Sequence, residues 1–160
     1  MLPDQVPPQP SAAFSAMVRE KRDSAIGYLI TAAQKLMHRG LGEGLQKHGV
    51  SVAQWMVLVV LWEANGLTQK ELSEHVAVET ATLSRTIDRM ERDGLVTRER
   101  SAEDRRQVHV RLTEYGAGLW RDLVPEAEAN QERALADINE NEEEVLRTLL
   151  KRVIANMSEA

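Results

Sequence analysis

Apolar residues return at helical spacing from Ser11 to about Leu45, through Phe14, Met17 and Val18, Ala25, Leu29, Ala33, and Leu36 with Met37. That period predicts a helix with one face to bury. Gly40, Gly42 and Gly44 weaken its end, and Gly49 closes the connection. Ser51 then has the character of an N-cap for Val52–Ala64. This segment, VAQWMVLVVLWEA, is apolar almost all round and predicts the most buried helix of the chain. Asn65-Gly66 ends it. Thr68 and Glu71 have the spacing of a capping box, which starts a short helix through about Val76. After a tight connection at Ala77–Val78, Leu83, Ile87 and Met90 mark the inner face of another helix, which Gly94 stops.

Two alternating runs follow, Leu95–Arg100 and Val108–Leu112, and predict paired strands. Thr113 caps a long helix with Trp120, Leu123, Ala127, Ala134 and Ile138 on one face. Pro125 lies inside that pattern and should kink the helix or mark its effective start. Asn139 and Asn141 break the chain before a last helix with Val145, Leu146, Leu149, Leu150, Val153 and Met157 as its stripe. The two central helices and their short join have the spacing of a helix-turn-helix. Within Glu79–Thr113 a helix rich in Thr, Ser and Arg stands before a hairpin whose tip, Ser101–Gln107, carries Asp104, Arg105 and Arg106. A polar helix beside a charged hairpin tip is how a winged helix-turn-helix meets duplex DNA.

Charge complicates that reading. The formal net charge is -5, which by itself argues against a nucleic-acid partner. Yet Arg85, Arg89, Arg92, Arg98, Arg100, Arg105, Arg106 and Arg111 crowd the helix and hairpin, interleaved with Asp88, Glu91, Asp93, Glu99, Glu103 and Asp104. The surplus acid lies further on, in Glu126, Glu128, Glu132, Asp137, Glu140 and Glu142–Glu144. DNA contact must therefore depend on which side each charge faces. A simple basic patch is not available.

Hydrophobic residues at 42% and charged residues at 28% fit a soluble globular protein. The chain has no cysteine, which excludes disulfides, thiol redox sensing and cysteine metal sites. No apolar run reaches the ~20 residues needed to span a bilayer. The start, MLPDQVPPQP, has no secretory pattern, and its prolines predict a disordered or extended tail over residues 1–10. The cytoplasm is the expected compartment.

Other chemistry finds little support. Glu71, Glu74 and His75 have a superficially ligand-like spacing, but neither His38, His48 nor His109 completes a second helical motif, so no metal is expected. Gly40, Gly42 and Gly44 follow a helix instead of a strand and make no phosphate loop. With no nucleophile motif either, neither enzymatic activity nor a cofactor is expected. Trp55, Met56 and Trp62 read first as core. The terminal helices carry more apolar stripe than one small winged helix covers, and a second copy is the simplest cover.

The segments Leu67–Leu72 (LTQKEL), Leu83–Glu91 (LSRTIDRME), Asp93-Gly94-Leu95-Val96, Asp104-Arg105-Arg106 and Leu112-Thr113-Glu114-x-Gly116 occur in this order. Together they make the chain resemble the MarR/SlyA family of bacterial transcription factors over roughly Tyr28–Met157. The resemblance implies a mainly α fold with a small β-hairpin wing, a winged helix-turn-helix carried between N- and C-terminal dimerisation helices. Residues 11–48 would form the N-terminal dimerisation helix, 49–113 the DNA-binding domain and 114–160 the C-terminal dimerisation helices. It further implies a homodimeric repressor on a pseudo-palindromic operator, with recognition helices ~34–36 Å apart, released by a small ligand.

On the recognition helix Thr80, Thr82, Ser84 and Arg85 flank the inward Leu83 and can face the groove. Arg85 suits a guanine edge, a contact worth about 1–3 kcal/mol in discrimination. Thr68 and Gln69, at a helix N-terminus, suit phosphate. The family pattern puts Arg106 into the adjacent minor groove, with Arg105 on phosphate and Asp104 bracing the tip. It also implies a cleft for a small aromatic acid or phenol. Tyr28, Met37, Trp55 and Val59 are its candidate walls, and His38 or Arg39 the anion partner, set against their reading as core. A winged-helix protein-interaction module that does not read DNA is the alternative from another class, and salt dependence of duplex affinity separates the two.

Overall fold

The computed structural model of the chain describes residues 11–76, 80–101 and 107–158. The expected tail over 1–10, the Ala77–Val78 connection and the tip residues Asp104, Arg105 and Arg106 lie outside the described residues. The chain divides into two compact units, Met1–His38 and Arg39–Ala160.

In the first unit the single helix expected from Ser11 to Leu45 is two. Helix α1 (Ala12–Ser24) is capped by the Ser11 hydroxyl, which accepts the Phe14 N–H at 3.2 Å. It ends at Ala25, whose backbone is extended (φ -74, ψ 120). The Ser24 hydroxyl donates to the Lys21 carbonyl at 3.1 Å and competes for the helix-end acceptors, as serine tends to. Helix α2 (Ile26–Gln46) starts directly afterwards.

The glycines do not end this helix early: α2 runs through all three to Gln46. Their role is space. A Cβ at Gly40 would collide with the side chains of Arg133 and Asn130, and one at Gly44 would come within 2.7 Å of the Glu126 carboxylate. Glycine there lets the α7 side chains lie directly on the helix backbone.

Helix α3 (Val52–Glu63) is covered on nearly every side, with only Val59 and Glu63 exposed. Ser51 caps it in a reciprocal box with Gln54. A short strand β1 (Leu67–Thr68), not foreseen from the sequence, precedes α4 (Gln69–His75). Two residues are too few to show alternation. Helix α5 (Thr80–Arg92) ends at Gly94, whose φ of 72° favours glycine. Strands β2 (Val96–Arg100) and β3 (Val108–Leu112) pair antiparallel, Val96 opposite Leu112 and Arg100 opposite Val108. β1 adds to the far edge of β3, giving the order β1-β3-β2.

The long helix expected after Thr113 is interrupted. Thr113 caps α6 (Glu114–Gly118), Leu119 forms a turn, and α7 (Trp120–Ala134) follows. Pro125 lies inside α7 and is not its start. Leu119 and Leu123 are the buried leucines of this stretch, whereas Trp120 and Ala134 are exposed. Asn139 is a cap more than a break: its Oδ1 accepts the Glu142 N–H at 3.1 Å, and the Glu142 carboxylate accepts the Asn139 N–H at 3.0 Å. Helix α8 (Glu140–Ser158) then runs with no buried residue.

The core of the second unit gathers Leu45, Val57, Leu58, Leu61, Leu72, Leu83, Ile87, Met90, Leu95, Val96, Val110, Leu119 and Leu123. Its fold is mainly helical with a three-stranded antiparallel wing sheet, the winged helix-turn-helix expected. Among the described residues no helix is long and apolar enough to cross a membrane.

Candidate nucleic-acid interface

Helix α5 is fixed by its inner face. Leu83, Ile87 and Met90 are fully buried and Thr86 is 8% exposed, with its hydroxyl donating to the Thr82 carbonyl at 2.8 Å. At 3.6 residues per turn, burying these positions turns Ala81, Arg85, Asp88 and Arg92 outward. Thr82 and Arg89 lie on one flank, both exposed, and Ser84, half-buried, on the other. Arg85 is exposed and makes no hydrogen bond or ion pair among the described residues. Thr80 is the first residue of α5, and its side chain lies outside the described set.

The acids of this region are largely tied. Arg98 on β2 reaches across to Asp88 and Glu91, each at 2.5 Å. Burial disfavours its charge, but the two carboxylates outweigh that and raise its pKa. Glu99 pairs with Arg111 at 3.0 Å. Asp93, just past the end of α5, is shared: Arg89 approaches at 3.5 Å and the buried Gln54 side chain donates to it at 3.0 Å. Arg92 donates to the Asp88 backbone carbonyl at 3.4 Å, which leaves Arg85, among the described residues, as the outward guanidinium of α5 with no partner.

At the start of α4 the capping box takes up Thr68. Its hydroxyl accepts the Glu71 N–H at 3.2 Å and gives its one proton to the Glu71 carboxylate at 2.7 Å. The hydrogen bond from the Thr68 backbone N–H, also 2.7 Å, holds the Glu71 carboxyl below the usual range. The Thr68 side chain therefore has no donor left for phosphate. Gln69, half-buried, stands next to it as the first helical residue.

The wing is anchored at its base. His109 Nδ1 lies 2.8 Å from the Gly66 carbonyl, and the Leu112 N–H donates to Asn65 Oδ1 at 2.9 Å. Ser101 N–H donates to the Gln107 carbonyl at 3.0 Å, beyond the last strand pair.

The candidate effector residues fall in both units. In the first, Tyr28 is exposed and lies under the Arg22 guanidinium at 4.9 Å, and Met37 and His38 are exposed on α2. In the second, Arg39 lines an open groove of about 560 Å³ with Gly42, Val50, Ser51 and Arg89. Trp55 and Val59 do not line that groove. Trp55 packs on the core and stacks edge-on against Trp62 at 5.8 Å, and Trp62 stacks likewise on Trp120 at 5.0 Å. Among the described residues no group of three or more His, Asp or Glu is placed to hold a metal.

Sequence reading missed Gln54, Arg89, Asp93 and Arg98. One signal was present for Gln54, a single amide inside an otherwise apolar helix, three residues after its cap. Arg98 read only as a member of a charged run, and Arg89 and Asp93 as that and as parts of the family-like segments, with no pairing role.

The MarR family model matches residues 50–108. An organic hydroperoxide resistance transcriptional regulator of Bacillus subtilis is 36% identical over 104 residues, which are 65% of this chain and 71% of the relative. A probable transcriptional regulator from Pseudomonas aeruginosa superposes with a TM-score of 0.76 at 28% identity, covering 82% of this chain and 98% of that one. A mutant MarR from E. coli, solved in complex with operator DNA, superposes with a TM-score of 0.76 at 27% identity, covering 89% and 99%.

Proposed function

The chain belongs to the MarR family of DNA-binding transcriptional regulators, and on that premise we propose that it is a ligand-responsive repressor that binds a pseudo-palindromic operator as a homodimer in the cytoplasm. The observation that carries the reading is the outward face of α5, where Arg85 is exposed and unpaired among the described residues while the neighbouring acids are engaged elsewhere. A fixed helix with one free guanidinium suits a base edge in the major groove. The likeness to a MarR solved with operator DNA supports that placement.

In this proposal Thr80, Thr82, Ser84 and Arg85 meet the major groove. Gln69 meets phosphate, and Thr68 holds the helix end that presents it. Arg106 enters the minor groove, Arg105 lies on phosphate and Asp104 braces the tip. Residues 11–48 and 114–160 form the dimer. Support for this comes from Leu29 and Leu36 on α2, and from Val145, Leu149, Ile154 and Met157 on α8, all exposed in the single chain. Each square ångström of such surface hidden by a partner stabilises by about 25 cal/mol.

The ligand in this proposal is a small aromatic acid or phenol, with Arg39 beside the open groove of the second unit as its anion partner. It acts by favouring a dimer whose recognition helices are wrongly spaced. The Bacillus subtilis relative is named for organic hydroperoxide resistance. Without cysteine, this chain cannot answer a peroxide by thiol oxidation.

The test is selection of bound sites from fragmented genomic DNA, followed by sizing of the complex. The proposal expects an inverted-repeat site with two chains per duplex, and release by one of a panel of aromatic acids. A single chain on an asymmetric site would overturn the dimer, and no release by any acid would overturn the effector.

A further inference from the structure

Gln54 is a polar side chain only 1% exposed in a helix that is apolar apart from it and the exposed terminal Glu63, and it touches two elements at once. Its Oε1 accepts the Ser51 N–H at 2.9 Å and the Ser51 hydroxyl at 3.0 Å, at the start of α3. Its Nε2 donates to Asp93 Oδ2 at 3.0 Å, past the C-terminal end of α5. The amide orientation is fixed by its partners, because a flip would set its NH2 against an N–H donor and its oxygen against a carboxylate.

Asp93 stands at the wrong end of a helix. The C-terminus carries the negative end of the helix dipole, where a carboxylate is disfavoured. Helix stability therefore does not account for it. The bond to Gln54 and the approach of Arg89 at 3.5 Å do. The same oxygen receives both, so this carboxylate joins the buried α3 cap to an arginine on the flank of α5, one helical turn beyond Arg85.

We propose that Gln54 is a positioning residue for DNA recognition: its bond to Asp93 sets the seat of α5 and, through Arg89, the direction of the arginine face. This rests on the function proposed above and goes further by naming the buried group through which α3 holds the reading helix. The side chains of Leu83, Ile87 and Met90 hold α5 onto the core, but apolar contact is non-directional. A hydrogen bond of defined geometry at the helix end resists rotation and sliding that packing alone permits.

The chemistry allows a test that separates positioning from stability. Gln54→Glu keeps a capping-box acceptor for Ser51 but sets two carboxylates against each other. Asp93→Asn in the same chain restores the bond with donor and acceptor exchanged. Two readouts are taken: amide hydrogen exchange over Arg89–Gly94 in the free protein, and affinity for a duplex selected by the wild-type protein relative to a scrambled duplex. Gln54→Glu is expected to speed exchange there and to lower the selected-to-scrambled ratio at least tenfold, and the double variant to recover most of both. Unchanged exchange and ratio in Gln54→Glu, or no recovery in the double variant, would overturn the positioning role. A wild-type protein with no duplex preference would overturn the DNA reading itself, while the exchange data would still decide the tether.

Discussion

Arg98 on β2 and Asp88 on α5 form a 2.5 Å ion pair, and the same guanidinium holds Glu91 at 2.5 Å. One cation thus clamps the wing sheet to the recognition helix and offsets half the charge of two acids beside the surface proposed to face DNA. The region's charge is nearly balanced in sequence but not in space.

Replacing Arg98 by Ala should leave both carboxylates unpaired next to a polyanion. The pair is partly exposed, so its loss costs stability only about 1 kcal/mol or less. Duplex affinity should fall more, about tenfold, through repulsion from phosphate at low effective screening. Adding Asp88→Asn should recover part of the loss. Fluorescence anisotropy on one duplex at fixed salt measures both.

Arg85→Ala and Arg106→Ala should differ in kind. Loss of a guanine contact should relax preference at one position per half-site, by about 1–3 kcal/mol. Loss of the wing arginine should weaken binding across sequences or at A/T-rich flanks, and reduce the salt slope by about one for each chain bound. Parallel site selections with the two variants would show the contrast, and identical effects would reject the assignment.

Gly116→Ala should destabilise despite alanine's better helix propensity, worth about 1 kcal/mol. A Cβ at Gly116 would collide with the Leu95 backbone, where strand entry, the Thr113 cap and the Trp62 Nε1–Gly116 carbonyl bond of 3.3 Å converge. Backbone cannot move aside as a side chain does, and overpacking costs about 1–3 kcal/mol. The clash outweighs the propensity, and the thermal midpoint should fall by several degrees.

Two carboxylates make stability pH-dependent. Glu126 is held below the usual range first by its hydrogen bond from Lys47 at 3.0 Å, with His48 at 3.6 Å adding to it. Glu71 is held down by the Thr68 N–H. A depressed folded pKa contributes stability that is complete above the unfolded value, about 4.3 for Glu, and is lost as pH falls through the folded value. The melting difference between wild type and Glu126→Gln should therefore shrink as pH falls below about 4. A difference that grew on acidification would contradict the sign.

Much of this was legible in sequence because it is local. Ser51 and Thr68 cap with acceptors three residues away, Gly94 supplies a positive φ, and Leu83, Ile87 and Met90 show the buried face of α5 by their spacing. What stayed hidden depends on distant partners. Gly40 and Gly44 read as helix weakeners until Arg133, Asn130 and Glu126 are seen to need their space. The Gln54–Asp93 bond spans 39 residues, and no periodicity links its ends. Strand β1 exists only because β3 lies beside it. The charged run gave the composition of the interface, and only the fold shows Arg89, Arg98 and Arg111 tied to acids while Arg85 is left without a partner among the described residues.

The central claim is that a few placed groups on α5 and the wing read duplex DNA. Its most direct test is affinity for a duplex selected by the protein and for a scrambled duplex, across about 50 to 200 mM salt. Phosphate contact predicts that both affinities fall steeply, by about a thousandfold or more for six or more contacts, while the selected duplex stays preferred at every salt. Affinity that hardly changes with salt, or no preference between the duplexes, would contradict the account.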